Sequence, residues 1–314
     1  MPNPAEASSR IAIFPATPTS LIAHVRPTWC AGNAQAYEVA VWQAVGVPPT
    51  AATTTHHREI PEQLAFVASS DPAAQLAKRL LTDRYGNASP EESQVIVALG
   101  GDGFMLETMH RFMALNTPLF GMNRGTIGFL MNRFDEDELP TRLAAAQLQQ
   151  LSPLNMVSNS EGGARLEAVA FNEVSMLRQE RQAAKLRLII NGRERMESLI
   201  CDGIIVATAA GSTAYNLSAN GPIIPIGSPM LAVTPISPFR PRRWKGALLP
   251  SNTRIRVEVI ERWKRPVSAV ADHNEARNVI DVEIAEDTEQ SVNMLFDADH
   301  NLEERILTEQ FNFG

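Results

Sequence analysis

Cysteine is nearly missing from this chain: 314 residues carry only Cys30 and Cys201, far apart and outside any CxxC or histidine-rich neighbourhood. That excludes a disulfide framework and a thiolate zinc site, and it leaves a buried, reduced thiol as the reading of Cys201. Long apolar runs are lacking too, since none approaches the roughly 20 residues that span a bilayer. The opening MPNPAEASSR lacks the basic-then-apolar order of a signal peptide, so the cytoplasm is the expected compartment and no membrane partner is expected. Basic charge is short as well. A net charge of −7 argues against a nucleic-acid partner, because phosphate backbones are held by clustered Lys and Arg, although a local basic pocket remains compatible with it.

What is present is enough apolar material, 44% of residues, to bury a sizeable core, in a chain long enough for two domains. Residues 1–57 differ from the rest: GVPPTAATTTHH is loop-like and no well-spaced amphipathic element surrounds it. This segment is expected to be loosely ordered, either a real appendage or the product of a start assigned too far upstream. The next methionine, Met105, lies inside a motif and excludes an internal Met start.

From about residue 58 the texture is that of a parallel α/β sheet. QLAFVASS reads as a buried strand, DPAAQLAKRLLTDRY as a helix capped by Asp71 with Pro72 at its first position, and SQVIVALGG as a second buried strand. TPLFGMNRGTIGFLMN continues as a strand leading into a glycine-punctuated loop. After the acidic run near residue 135 the period changes to two, in RLEAVAFNEVSMLR, KLRLII, RMESLI, GIIVAT, RIRVEVIE and NVIDVEIAE. Asn191-Gly192 predicts a type I′ hairpin turn, because both positions need positive φ. The expected architecture is an α/β domain over 58–135 followed by an antiparallel, sandwich-like β domain over 136–284.

The motif VIVALGGDGFMLETMH, residues 95–110, joins a buried strand to a helix through Gly100, Gly101, Asp102 and Gly103. Glycines there let backbone N–H groups approach an anion, and the helix start favours phosphate. Asp102 has two readings, a helix cap or a general base or Mg²⁺ partner beside that phosphate. There is no GxxxxGK[ST], and Leu106 stands where a dinucleotide fingerprint would place its third glycine, so a dehydrogenase is disfavoured.

GGDG at 100–103, NRGTIGFL at 123–130, FNE at 171–173 and CDGIIVATAAGSTAYNLSANGPII at 201–224 together resemble the signatures of the NAD kinase family, of a short bacterial type, over about residues 59–314. GGDG alone is shared in kind with diacylglycerol-type lipid kinases and phosphofructokinases, whereas the GSTAYNLS stretch is far more particular. The resemblance implies transfer of a phosphoryl group from ATP or polyphosphate to the 2′-hydroxyl of the adenosine ribose of NAD, giving NADP, with a divalent ion, Mg²⁺, carried by substrate phosphates. It also implies a homodimer or homotetramer, and a C-terminal segment, 285–314, that returns to complete the first domain.

By the same resemblance Asp102 is the base and lies with Gly103 at the NAD. Asn172 and Glu173 hold ribose hydroxyls or an adenine edge, Asp202 accepts hydrogen bonds from NAD, and Thr213, Ala214, Tyr215, Asn216, Leu217 and Ser218 line the adenosine pocket. No dedicated protein metal cage is expected. Asn123, Phe129 and Ala210 within the matching motifs, and Asp272 and His273 near a strand end, are further candidates. Arg240, Arg242, Arg243 and Lys245 form a basic loop that reads as a phosphate clamp or as a solvated surface. Two features depart from the family: Glu107 is acidic where relatives often carry a neutral or basic residue, and Ala209-Ala210 replaces a more usual Pro-containing pair. The alternatives are a lipid or other small-molecule kinase sharing GGDG, and a non-catalytic NAD-binding module. Deleting residues 1–57 is expected to leave solubility and activity intact; expression and assay of the truncated chain check this, and an insoluble or inactive product overturns it.

Overall fold

The computed structural model describes residues 58–124 and 128–297; the expectations for 1–57 and for the last part of 285–314 lie outside the described residues. The chain opens with β1 (Leu64–Ala68), α1 (Pro72–Tyr85), β2 (Val95–Leu99), α2 (Asp102–Phe112), β3 (Leu119–Asn123), β4 (Asn132–Arg133), α3 (Leu139–Ala145) and β5 (Gln147–Leu151). The start of α1 follows the sequence signals: Asp71 Oδ1 accepts from the N–H groups of Ala73 at 2.8 Å and Ala74 at 3.3 Å, and Pro72 occupies the first turn. Its end is set by Gly86, whose positive φ of 76° L side chains rarely adopt.

Twelve further strands form the antiparallel region: β6 (Leu154–Ser160), β7 (Arg165–Ala170), β8 (Glu173–Arg178), β9 (Ala184–Ile190), β10 (Arg193–Cys201), β11 (Gly203–Ala207), β12 (Met230–Ile236), β13 (Ala247–Pro250), β14 (Ile255–Val259), β15 (Val267–Ala271), β16 (Asn274–Ala276) and β17 (Val279–Glu286). They make two sheets, ordered β10-β9-β14-β17-β6-β7 and β13-β12-β11-β8-β15-β16. Met156, Leu186, Val257 and Val282 of the first meet Met176, Ile204, Val233 and Ala269 of the second in one apolar core. Alternation supplies this: inward residues are apolar, and outward ones such as Arg187, Arg256 and Glu258 pair on the surface. Asn191 and Gly192, at φ 50° and 74°, turn β9 into β10 as the type I′ signal requires.

The run RLEAVAFNEVSMLR is not one strand. Ala170 pairs with Leu154 in one sheet and Glu173 pairs with Ala207 in the other, so the chain changes sheets in the two residues Phe171 and Asn172. The consecutive apolar residues Val169, Ala170 and Phe171, followed by polar Asn172 and Glu173, interrupt the period of two here, in keeping with a strand end at Asn172 and Glu173.

β18 (Val292–Phe296) then leaves the sandwich and enters the first sheet, whose order is β1-β2-β3-β18-β5 with β4 beside β3. Its neighbour β3 is parallel and β5 antiparallel, and β5 reaches Leu151, beyond the change of texture near residue 135. Met294 faces the layer containing Met105, Met109 and Phe112 of α2, while Leu295 faces Leu81 of α1 and Leu143 of α3. Buried Asn132 fixes the register: its amide donates to the carbonyls of Gly121 and Leu295, and its Oδ1 accepts from the Asp297 N–H. Phe171 and Ala210 join the layer under α2, so the corner of the sandwich packs on the first sheet's helix. Leu295→Ala is expected to destabilise the protein by about 2–5 kcal/mol, through lost burial and the void left between β18 and the two helices, read by urea unfolding.

Candidate active site

The five residues of β2 are all buried, and the strand ends where Gly100 and Gly101 open a turn into α2. Gly101 takes the cap position, so no side chain accepts from the first N–H groups of α2. Gly100 and Gly101, just ahead of the start of α2, line a cavity of about 390 Å³ together with Ser69, Asp71, Asn123 and Arg124. The Arg124 guanidinium lies 4.5 Å from the centre of the Phe134 ring.

Asp102 is therefore not the cap. Its carboxylate accepts from the N–H of Phe129 at 2.7 Å and of Leu130 at 3.1 Å, tying the start of α2 to the loop after β3. The fit leaves no room for a side chain at residue 128, where a Cβ would stand 2.1 Å from Asp102 Oδ1. Glu107 is exposed on the outer side of the same helix.

The second centre is the corner at 171–173. Asp272, in the two-residue turn between β15 and β16, has φ 50° and a side chain with no accessible surface. Its carboxylate accepts from the N–H groups of Phe171 at 2.8 Å, Asn172 at 3.1 Å and Glu173 at 3.3 Å, while its own N–H donates to the Glu173 carbonyl. His110 Nε2 of α2 lies 2.7 Å from the same carboxylate, and its ring meets Phe171 and His273 edge-on, with centroids at 5.2 and 4.8 Å. Burial first, and the Asp272 charge second, push the Glu173 carboxyl up to about 7. Glu173 Oε2 is buried without a hydrogen-bond partner among the described residues, the state of a group shaped to receive a ligand's polar atom.

The segment after β11 is stitched to the other side of this corner. Thr208 donates from its N–H to the Asn172 carbonyl and from Oγ1 to the Phe171 carbonyl at 2.6 Å, and Oγ1 accepts from Gly211 N–H at 3.0 Å. A Cβ on Gly211 would lie 2.0 Å from the Asn172 oxygen. A single 3-10 turn containing Ala210 and Thr213 leads through Ala214 to α4 (Tyr215–Ser218). Tyr215 and Ser218 are exposed and Leu217 half-buried, but Asn216 is turned inward: its amide donates to the carbonyls of Ser212 and Pro222, and its oxygen accepts from Thr234 Oγ1. It braces the segment rather than facing the cleft.

Three of the sequence candidates stand elsewhere. β8 and β11 run antiparallel with Glu173 opposite Ala207 and Leu177 opposite Gly203, so Asp202 sits at the far strand end, about 16 Å from the corner. There its Oδ1 accepts from Arg178 Nε at 2.5 Å. Arg240 bridges to Ile200 at that same end, and Arg240 and Arg242 both lie over the exposed Phe239 ring. Cys201 is buried, which pushes its thiol up to about 12 and keeps it unreactive. His110, Thr208, Gly128 and Arg124 are the residues the sequence reading missed. All four lie inside motifs that the sequence singles out: Arg124 and Gly128 in NRGTIGFL, Thr208 in CDGIIVATAAGSTAYNLSANGPII, and His110 at the end of VIVALGGDGFMLETMH.

Among the described residues no three His, Cys, Asp or Glu side chains cluster as a metal site, and the wall of the glycine-loop cavity offers one carboxylate, Asp71.

Comparison with known proteins follows the same division. A family model for the ATP-NAD kinase N-terminal domain matches residues 31–149, beginning within the N-terminal segment, and one for the ATP-NAD kinase C-terminal domain matches residues 171–302. The chain is 57% identical over 250 residues to the NAD kinase of Caulobacter vibrioides, covering 80% of this chain and 96% of that one. It is 52% identical over 248 residues to the NAD kinase of Brucella suis, covering 79% and 96%. Among solved structures, yeast NADH kinase complexed with NADH aligns with a TM-score of 0.67 at 19% identity, over 82% of this chain and 89% of that one. An Archaeoglobus fulgidus NAD kinase in complex with ATP aligns at 0.61 and 22%, over 79% and 98%. An α/β sheet with a glycine loop, packed on an antiparallel sandwich, is thus the fold of a nucleotide phosphotransferase. The chain belongs to the NAD kinase family, and its activity is that of an NAD kinase.

The raised Glu173 carboxyl has a consequence for stability. Its ordinary value of 4.5 applies to the unfolded chain and about 7 to the folded one, so the folded state holds this proton more tightly. The contribution is fully present below 4.5 and is lost as pH rises through about 7. Between about pH 5 and about pH 8 the ligand-free protein is expected to lose up to roughly 3 kcal/mol from this group, and thermal melts of Glu173→Gln should show a smaller pH dependence than wild type.

Proposed function

We propose that Asp102 accepts the proton of the adenosine 2′-hydroxyl of NAD while that oxygen attacks the terminal phosphorus of ATP bound at the glycine loop. The new O–P bond forms as the bond to the bridging oxygen breaks, ADP leaves with that oxygen, and the proton passes to Asp102. The observation that carries this reading is the Asp102 carboxylate, fixed by two backbone N–H groups on the residue that directly follows Gly100 and Gly101, which line the cavity. Each carboxylate oxygen has a second acceptor site free in principle for a hydroxyl proton. A ribose hydroxyl is a weak nucleophile, and a positioned base is worth about 10²–10⁴-fold.

The corner at Asn172 and Glu173 holds the acceptor. A carboxyl near 7 both donates and accepts close to neutrality, which suits a ribose hydroxyl pair, and the Asn172 amide suits an adenine or ribose edge. Gly103, Thr213, Ala214, Tyr215, Leu217 and Ser218 are proposed to surround the adenosine, with His273, Ala210, Phe129 and Asn123 at its margins. ATP is the donor favoured by the likeness to a kinase complexed with ATP, and polyphosphate is retained as a second donor. Mg²⁺ on the donor phosphates supplies charge neutralisation when bound. A cytoplasmic homodimer or homotetramer completes the proposal; within a single chain Asp202, Arg240 and Arg242 lie at the far end of the strand from the acceptor site. The lipid-kinase and binding-module alternatives are not favoured by the relatives' activities.

Asp102→Asn keeps one side-chain oxygen for the loop N–H groups but removes the base. NADP formation from NAD, ATP and Mg²⁺ is expected to fall by about 10²–10⁴-fold with NAD binding retained, as read by a coupled NADP-specific dehydrogenase and by calorimetry. Undiminished turnover in the variant would remove the base assignment.

A further inference from the structure

The proposed base and the proposed acceptor site stand on different parts of the fold. Asp102 begins α2 in the first sheet's layer, and Asn172 and Glu173 belong to the sandwich. Phosphoryl transfer needs the 2′-oxygen in line with the donor, and a misplacement near 1 Å can cost about 10²-fold in rate. Apolar contact of Phe171 with the layer under α2 holds the two parts together but sets no distance to that accuracy. One polar contact does: His110, eight residues and about 12 Å along the helix from Asp102, reaches the buried Asp272 that grips the N–H groups of Phe171, Asn172 and Glu173.

The acceptor character of this pair is settled by chemistry. Three backbone N–H groups already point at the Asp272 carboxylate, which thus takes the acceptor role, and His110 Nε2 at 2.7 Å is assigned as the donor facing it. The His110 side chain is 14% accessible and is wedged edge-on against Phe171 and His273, so its Nε2 is committed to the carboxylate and is not presented to a substrate. That rules against a His–Asp base pair acting on the hydroxyl. Asp272 itself occupies the left-handed region at φ 50°, where glycine would be unstrained, which indicates that the side chain is what this turn retains.

We propose that His110 is a positioning residue, whose Nε2–H bond to Asp272 sets the distance between the base on α2 and the acceptor site at Asn172 and Glu173. The proposal rests on the assignment of Asp102 and of that corner to the kinase reaction. It predicts a loss in turnover rather than in NAD affinity, because the corner keeps its three backbone bonds to Asp272 when the histidine is removed.

The test uses the full chain with His110→Leu, which fills similar space without a donor, and His110→Gln, whose side-chain amide nitrogen can stand near Nε2. His110→Leu is expected to lower kcat by about 10-fold to 100-fold while KM for NAD changes less than about threefold, with His110→Gln recovering most of the loss. Amide hydrogen exchange in α2 and at Phe171–Glu173 should quicken in the leucine variant and return towards wild type in the glutamine variant. Equal losses in both variants, no loss in either, or a loss confined to KM would overturn the positioning role. A wild-type chain that makes no NADP would instead defeat the kinase mechanism, and the exchange comparison would still judge the tie itself.

Discussion

A carboxylate without solvent must be given donors, and the way Asp272 finds four of them organises the centre of this protein. Three are consecutive backbone N–H groups, available because the chain changes sheets between Ala170 and Glu173 and leaves them outside either ladder. The fourth comes from α2, which belongs to the other sheet. Two demands are met together: the corner's orphan donors need an acceptor, and the buried anion needs donors. The Thr208 hydroxyl does the complementary work on the Phe171 carbonyl, so both polar faces of the corner are satisfied.

Asp102 applies the same device at the start of α2, with a different result. Its two donors come from a loop, and Gly128 must lack a side chain for that loop to approach, yet the carboxylate itself is only half-buried. Glu173 has the opposite surroundings, pressed into the interior beside Asp272 with no fixed donor for Oε2. One carboxylate is oriented and open to the cleft, and the other is held near its protonation midpoint at neutral pH. Separate environments of this kind fit the separate tasks proposed for the two carboxyl groups.

Much of this was legible in the sequence wherever a local rule decides the structure. Asp71-Pro72 marked the start of α1, Asn191-Gly192 marked the hairpin, and the run of apolar residues into Gly100 and Gly101 marked the strand, turn and helix of the glycine loop. What was not legible depends on which strands meet. The break in alternation at Val169–Glu173 marks a strand end, but nothing local says that the chain passes there from one sheet to the other. QLQQL at Gln147–Leu151 gave no sign that it would border β18 in the first sheet. His110 reads as one more residue on a helix face. Asn216 lay inside a ligand-like motif yet turns inward, because Thr234 and the carbonyls of Ser212 and Pro222 need its amide. Asp202 and Glu173 share a ladder, but the length of β11 keeps them apart.

Several of the places where the chain breaks the rules of a well-packed domain fall in one region. An aspartate stands where the backbone favours glycine, a glutamate is buried beside another carboxylate, and two glycines sit where any Cβ would strike Asp102 or the Asn172 carbonyl. A sequence selected for stability alone would remove each of these. The strain at Asp272 is held by four hydrogen bonds, whereas the buried Glu173 oxygen is held by none among the described residues. The difference fits the division of labour proposed for the two: Asp272, strained but with its bonds made, as scaffold, and Glu173, buried with a bond still to make, as the proposed ligand-binding group.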